Sequence, residues 1–223
     1  MKAFDELASN LLSFVEQAED GDLPLWQRLR IWKWMETTLP DAEERRNWLA
    51  LSNAREHLPL WTVRPNDSDY SSAPVTILNC ARDWLQRNTD NEAIDALLTQ
   101  YDVIDDVEDE LYDTHGIGVF VFHMCVSVLG RLLDCDDDEY NDHDWYDKCD
   151  TGMRTEISDE AVQEMGATNT MDVHFYGAMM SSGGAVWFSG SDSDKRRQYW
   201  DQWIRGLLRR SATSTVESLR VDF

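Results

Sequence analysis

The stretch Asp192-Ser193-Asp194-Lys195-Arg196-Arg197-Gln198-Tyr199-Trp200-Asp201-Gln202-Trp203-Ile204-Arg205-Gly206-Leu207 decides the fold class. Tyr199, Trp200, Trp203, Ile204 and Leu207 follow one another at steps of one, three, one and three residues, so they line one face of an α-helix. Asp192 or Ser193 supplies the short polar side chain that opens such a helix. Just upstream, Gly183-Gly184 ends another helix that begins near Thr170.

The same period continues toward the N-terminus. Leu7, Leu11, Phe14 and Val15 share a face, and Gly21, Asp22 and Pro24 punctuate its end. Leu25, Leu29, Trp32 and Met35 follow, and Pro40 stops them. Asp41 with Glu44 has the spacing of a capping box ahead of Trp48, Leu51, Ala54 and Leu58. After a polar linker at 62–73, Ser72 and Pro74 open a helix carrying Ile77, Leu78, Ala81 and Leu85. Thr89 or Asp90 opens the next, with Ile94, Leu97, Leu98 and Tyr101. The longest apolar run, 117–129, is too short to span a bilayer and contains His123, so it reads as a buried helix. A short helix falls near 158–165. No stretch alternates in the manner of a strand. The expectation is all-α: one multi-helix domain over residues 1–223, with about eight or nine helices and an acidic loop insertion at about 134–154.

Composition bounds the function. Of 223 residues, 42% are apolar, and ten Trp with seven Tyr and seven Phe give enough buried area to exclude disorder of the whole chain. Acids number 43 against 20 bases, for a net charge of −23. Such a surface repels phosphate backbones and anionic membranes, so neither direct nucleic-acid binding nor membrane binding is expected. The N-terminal residues have no apolar signal core, and Cys80, Cys125, Cys135 and Cys149 form no CxxC pair, which fits a reduced cytoplasm.

The charge is concentrated. Residues 95–172 hold 22 acids and 3 bases, net −19, while 173–223 carry net +2. One cluster, 102–113, has seven acids in twelve residues, and a second, 134–150, has nine in seventeen. An acid run alone is usually a solvated loop. The second run, however, also holds Tyr140, Trp145 and Tyr146, residue types enriched at interfaces. The candidate binding residues are therefore Asp136, Asp137, Asp138, Glu139, Asp142 and Asp144 with Trp145 and Tyr146 as anchors, and Asp105, Asp106, Glu108 and Asp109 as a supporting wall.

Catalytic signatures are missing. There is no P-loop, no dinucleotide fingerprint, no H-E-x-x-H and no G-x-S-x-G. The spacings of His115, His123, Cys125, Cys135, His143 and Cys149 match no recurrent zinc pattern, and a calcium loop started at Asp136 would put Asn141 at its sixth position. Ser181-Ser182-Gly183-Gly184 reads as a helix end rather than a nucleophile loop. No catalytic residue, metal or cofactor is expected.

Several blocks carry a family resemblance. They are Leu23-Pro24-Leu25 with Arg28-Leu29-Arg30-Ile31-Trp32, Arg45-Arg46-Asn47-Trp48-Leu49-Ala50, and Leu58-Pro59-Leu60-Trp61. Toward the C-terminus come Asp172-Val173-His174-Phe175-Tyr176-Gly177-Ala178, then Ser182-Gly183-Gly184-Ala185-Val186-Trp187, and finally 191–200 with Trp203 after it. In order and spacing, over about residues 20–205, the chain resembles the predicted immunity proteins of bacterial polymorphic-toxin systems, the all-α family numbered five. The stretch 102–160 departs most from that pattern and holds the heaviest acid load. The resemblance implies a cytosolic antidote that binds a co-produced toxin domain. Within it, Asp172, Trp187, Lys195, Arg196 and Trp200 read as structural residues.

Charge then suggests the partner. Toxin domains that attack nucleic acid carry basic clefts, and an acidic patch speeds encounter with them. A nucleic-acid mimic acting on a DNA-binding protein would use the same electrostatics. An all-α metal-dependent hydrolase would need a partner helix for Asp102, Asp105, Asp106 and Asp109, and none is evident.

Overall fold

The computed structural model describes residues 2–61, 70–101, 118–132, 173–184 and 190–221. The described residues are all-α, with no strand among them. Helix α1 spans Lys2–Gln17, α2 Leu25–Thr38, α3 Ala42–His57, α4 Ala73–Leu85 and α5 Asn91–Tyr101. Then come α6 (Val119–Leu132), α7 (Val173–Ser182) and α8 (Ser193–Trp203). The last runs on without a break through a π-helical turn, Ile204–Leu208, into α9 (Arg209–Thr213), and α10 (Val216–Val221) closes the chain.

Two apolar clusters organise these helices. The first lies among α3, α4, α5, α6 and α7 and contains Trp48, Leu51, Ile77, Phe122, Cys125 and Met179. The second lies among α1, α2 and α8 and contains Leu11, Ile31, Met35, Trp200, Trp203 and Ile204. Helices α3 and α7 serve both: Trp48 faces the first cluster and Leu49 the second, and on α7 Met179 and Ala178 divide likewise. A helix in that central position buries more than one stripe. Accordingly every residue from Val173 to Met180 is buried, and α3 buries Arg45, Asn47, Asn53 and His57 beside its apolar residues.

Most helix ends follow from their residues. The Asp192 carboxylate accepts from the Asp194 and Lys195 amides, each at 3.1 Å, so it caps α8. Those bonds to its charged form hold its pKa below the usual carboxylate value. Helix α7 ends in a Schellman motif: the Gly184 amide reaches the Met179 carbonyl at 2.9 Å, the Gly183 amide reaches that of Met180, and Gly183 takes φ +81°. The Asp90 carboxylate accepts from the Ala93 amide ahead of α5.

The capping box expected at Asp41 and Glu44 does not form. Asp41 sits in the left-handed region (φ 55°), and its side chain makes no capping bond. Glu44 instead pairs with Arg220 of α10 at 2.7 Å. Buried Arg45 donates to the carbonyls of Pro40, Ser211 and Ser214, which ties the start of α3 to the end of α9.

Candidate functional site

The acidic clusters have defined attachment points on this body. Residues 102–117 connect Tyr101, the last residue of α5, to α6; residues 133–172 connect Leu132, the last residue of α6, to α7. Tyr101 packs edge-on against Phe122 of α6, ring centroids 5.3 Å apart. Tyr176, one turn into α7, stacks on Phe120 and His123 of α6 at 5.9 and 5.5 Å. The exit of the first segment and the re-entry of both thus lie beside the N-terminal half of α6. Leu132 lies about 15 Å farther along that helix at 1.5 Å per residue. All twelve candidate binding residues fall within these segments: Asp105, Asp106, Glu108, Asp109, Asp136, Asp137, Asp138, Glu139, Asp142, Asp144, Trp145 and Tyr146 lie outside the described residues. So do His115, Cys135, His143 and Cys149, Asp172 and Trp187, and the helix expected near 158–165.

Charge divides along the same line. The described residues carry 17 bases and 19 acids, net −2. Residues 102–117 and 133–172 together carry 2 bases and 21 acids, net −19. A nearly neutral helical body therefore bears two segments that hold almost all the excess charge.

The body itself is locked by a polar seam between the α1–α2 turn, α7 and α8. Arg196, 2% exposed, is its hub. Its guanidinium donates to the Asp20 carbonyl at 3.1 Å, the Gly184 carbonyl at 2.9 Å, the Ser182 hydroxyl at 3.0 Å and the Ser191 hydroxyl. Arg197 holds the Ala18 and Glu19 carbonyls. Trp200 donates its indole N–H to Asp22 at 2.8 Å. Burial raises the Asp22 pKa, opposed by nearby Arg28 and by that indole bond. Gly21 takes φ +71°, and a Cβ there would strike the Ser193 backbone, so the turn seats directly on the start of α8. Arg196 and Trp200 are thus structural, as expected, while Lys195 is exposed beside Asp192.

A second polar group lies between α3, α7 and α8. Tyr199 sends its hydroxyl to Asn53 Oδ1 and to the His174 carbonyl, both at 3.1 Å. Trp203 donates to His174 Nδ1 at 3.1 Å. A Cβ on Gly177 would overlap the Tyr199 hydroxyl, so glycine there lets the two helices meet. His57 Nδ1 lies 2.9 Å from the Asn53 carbonyl, and Nε2 lies 3.4 Å from the Ser181 hydroxyl. Burial lowers the His57 pKa, so the ring is neutral at pH 7. Sequence reasoning missed this Ser–His proximity because 124 residues separate the two. Its geometry is not that of a nucleophile: the contact is long, and a backbone carbonyl, not a carboxylate, orients the imidazole. Among the described residues no group of three or more His, Cys, Asp or Glu could hold a metal, and no helix is long and apolar enough to cross a membrane.

The sequence profile of immunity protein Imm5 matches residues 9–210. The chain belongs to the Imm5 immunity protein family. A comparison with curated proteins finds no match. The Imm5 match runs from α1 to α9, so it spans the polar seam, the central helices and both acidic segments. Membership in Imm5 supports an immunity function, directed at a cognate toxin.

Proposed function

We propose that this Imm5 protein binds a basic, nuclease-like toxin domain in the cytoplasm of the producing cell and neutralises it through its acidic segments, with no catalytic step of its own. The observation that carries this reading is the charge division: net −19 in residues 102–117 and 133–172, against net −2 in the described body. Solubility alone would spread carboxylates over every face. In this reading Asp136, Asp137, Asp138, Glu139, Asp142 and Asp144 pair with lysines and arginines of the toxin cleft. Trp145 and Tyr146 bury against its walls, and Asp105, Asp106, Glu108 and Asp109 extend the negative field. The single-domain organisation over residues 1–223 belongs to the same proposal, because the helical body is then the rigid support.

The test is co-expression with the toxin domain encoded beside this gene. The wild-type chain restores growth. Trp145→Ala loses protection by raising the dissociation rate, and neutralising Asp136, Asp137, Asp138 and Glu139 lowers the association rate. Undiminished protection and unchanged kinetics in both variants would place the interface elsewhere. Equal inhibition of unrelated DNA-binding proteins would favour a nucleic-acid mimic instead.

A further inference from the structure

His174 is the second residue of α7 and is 4% exposed. Its ring lies beside Trp203 of α8 and Trp32 of α2, with ring centroids 4.9 and 5.4 Å away. The Trp203 indole N–H donates to Nδ1 at 3.1 Å. An indole N–H cannot accept, so Nδ1 holds a lone pair and the imidazole is neutral while this bond stands. A second proton on the ring would have to sit on Nδ1, where it would meet the Trp203 N–H head-on. A hydrogen bond that only the neutral form can make disfavours charging. His57, in the same polar group, is the contrast. Its ring bonds the Asn53 and Gly177 backbones, and the Asn53 carbonyl accepts from the charged ring as readily as from the neutral one. Charging His57 therefore leaves its bond to Asn53 in place, whereas charging His174 must break the bond to Trp203.

Among the described residues, the charged and titratable groups around His174 supply no counter-ion. From α8 comes the Tyr199 hydroxyl, which donates to the His174 carbonyl at 3.1 Å. From α3 come His57 and Arg46; Arg46 lies over the Trp32 ring at 5.1 Å and pairs with Glu36. From α2 comes Arg28, over the Phe175 ring at 5.9 Å, and it acts on Asp22, whose carboxylate takes the Trp200 indole. His123 of α6 stacks on Tyr176, farther along α7. The first turn of α7 is fixed by the Tyr199 bond and by Asn53 Nδ2, which donates to the Val173 carbonyl at 3.0 Å. Residues 133–172 lead directly into this turn. We propose that His174 is an acid-sensitive lock on α7. Neutral, it accepts the Trp203 indole and holds the first turn against α8. Protonated, it expels that indole, loosens the turn and speeds release of the partner bound by residues 133–172. That the partner is a toxin domain rests on the proposed function; the lock itself does not.

The test follows the Trp203 indole N–H and the histidine rings of the full chain by nuclear magnetic resonance, from about pH 7.5 to about 4.5. The indole resonance is expected to move in step with the His174 ring, at a midpoint below the ordinary histidine value of about 6.5. His174→Gln keeps an acceptor for the indole and does not titrate, so the step vanishes. Carboxylates titrate in part of the same range, and the difference between the two proteins removes their contribution. Trp203→Phe takes away the donor, and the His174 midpoint rises toward the ordinary value; this arm stays readable if His174→Gln does not fold. His57→Gln keeps the step. An ordinary midpoint for His174 in the wild-type chain, an indole resonance that ignores its titration, or an unmoved midpoint in Trp203→Phe would overturn the lock. With the toxin domain, dissociation of the wild-type chain is expected to accelerate about tenfold more than that of His174→Gln between pH 7 and pH 5. Equal acceleration would overturn the link to partner release. A toxin domain that does not bind at pH 7 would overturn the proposed function, while the measurements on the free chain still decide the lock.

Discussion

Replacing Arg196 by methionine keeps much of the side-chain volume and removes the charge that joins the α1–α2 turn, the end of α7 and the start of α8. In the folded protein that guanidinium donates to the Asp20 and Gly184 carbonyls and to the Ser182 and Ser191 hydroxyls, at 2% exposure. The two hydroxyls can reorient and bond to each other or to Gly184, which they already approach at 2.9 to 3.4 Å. The Asp20 carbonyl has no such alternative, and Asp22 loses a neighbouring cation. Removing one partner of a buried charged network costs about 3–5 kcal/mol. For a chain of this size each kcal/mol moves the melting midpoint by roughly 2–4 °C, so a fall of about 10 °C is expected. Chemical denaturation monitored by near-ultraviolet circular dichroism reads the loss directly. Lys195→Ala is the control: its ion pair with Asp192 is exposed and contributes little. If Arg196→Met unfolds within about 1 kcal/mol of wild type, the seam is not what joins these elements.

Three further outcomes follow from the same contacts. Gly177→Ala forces Tyr199 away, breaking its bonds to Asn53 and His174; despite the better helix propensity of alanine it destabilises by about 2–4 kcal/mol in a urea titration. His57 has its pKa lowered by burial, so the unfolded chain binds the proton more readily, and stability falls as pH drops through the ordinary value of 6.5 toward the folded one. His57→Gln flattens that part of the stability–pH curve, and an unchanged slope would contradict the burial argument. Trp200→Phe leaves Asp22 without its indole donor and costs about 1–3 kcal/mol by thermal denaturation.

The sequence exposed the helices more fully than their arrangement. The stripe of Tyr199, Trp200, Trp203, Ile204 and Leu207 is buried throughout, as its spacing required, and the Gly183-Gly184 stop is a real C-cap. Periodicity could not reveal the π turn inside that stripe, because widening by one residue per turn leaves the apolar residues on one side. Nor could it reveal buried Arg45 and Arg196. An arginine between polar neighbours has the pattern of a solvated face, and only the meeting of residues 166 and 176 positions apart supplies the carbonyls that satisfy it. The capping box failed for a local reason: the left-handed backbone at Asp41 turns its carboxylate away from the α3 amides. Ser181 meets His57 only through the packing of α7 on α3. The charge division was readable in full, since it needs only counting.

The central claim is that the acidic segments capture a cationic toxin surface, and stopped-flow association with the toxin domain tests it most directly. For the wild-type chain the association rate is expected to fall steeply as salt rises from about 10 mM to 500 mM, a range over which screening shortens from roughly 30 Å to a few ångströms. A variant with Asp136, Asp137 and Asp138 as Asn and Glu139 as Gln is expected to associate more slowly at low salt and to converge on wild type at high salt. Equal rates and equal salt dependence for the two proteins would contradict the account.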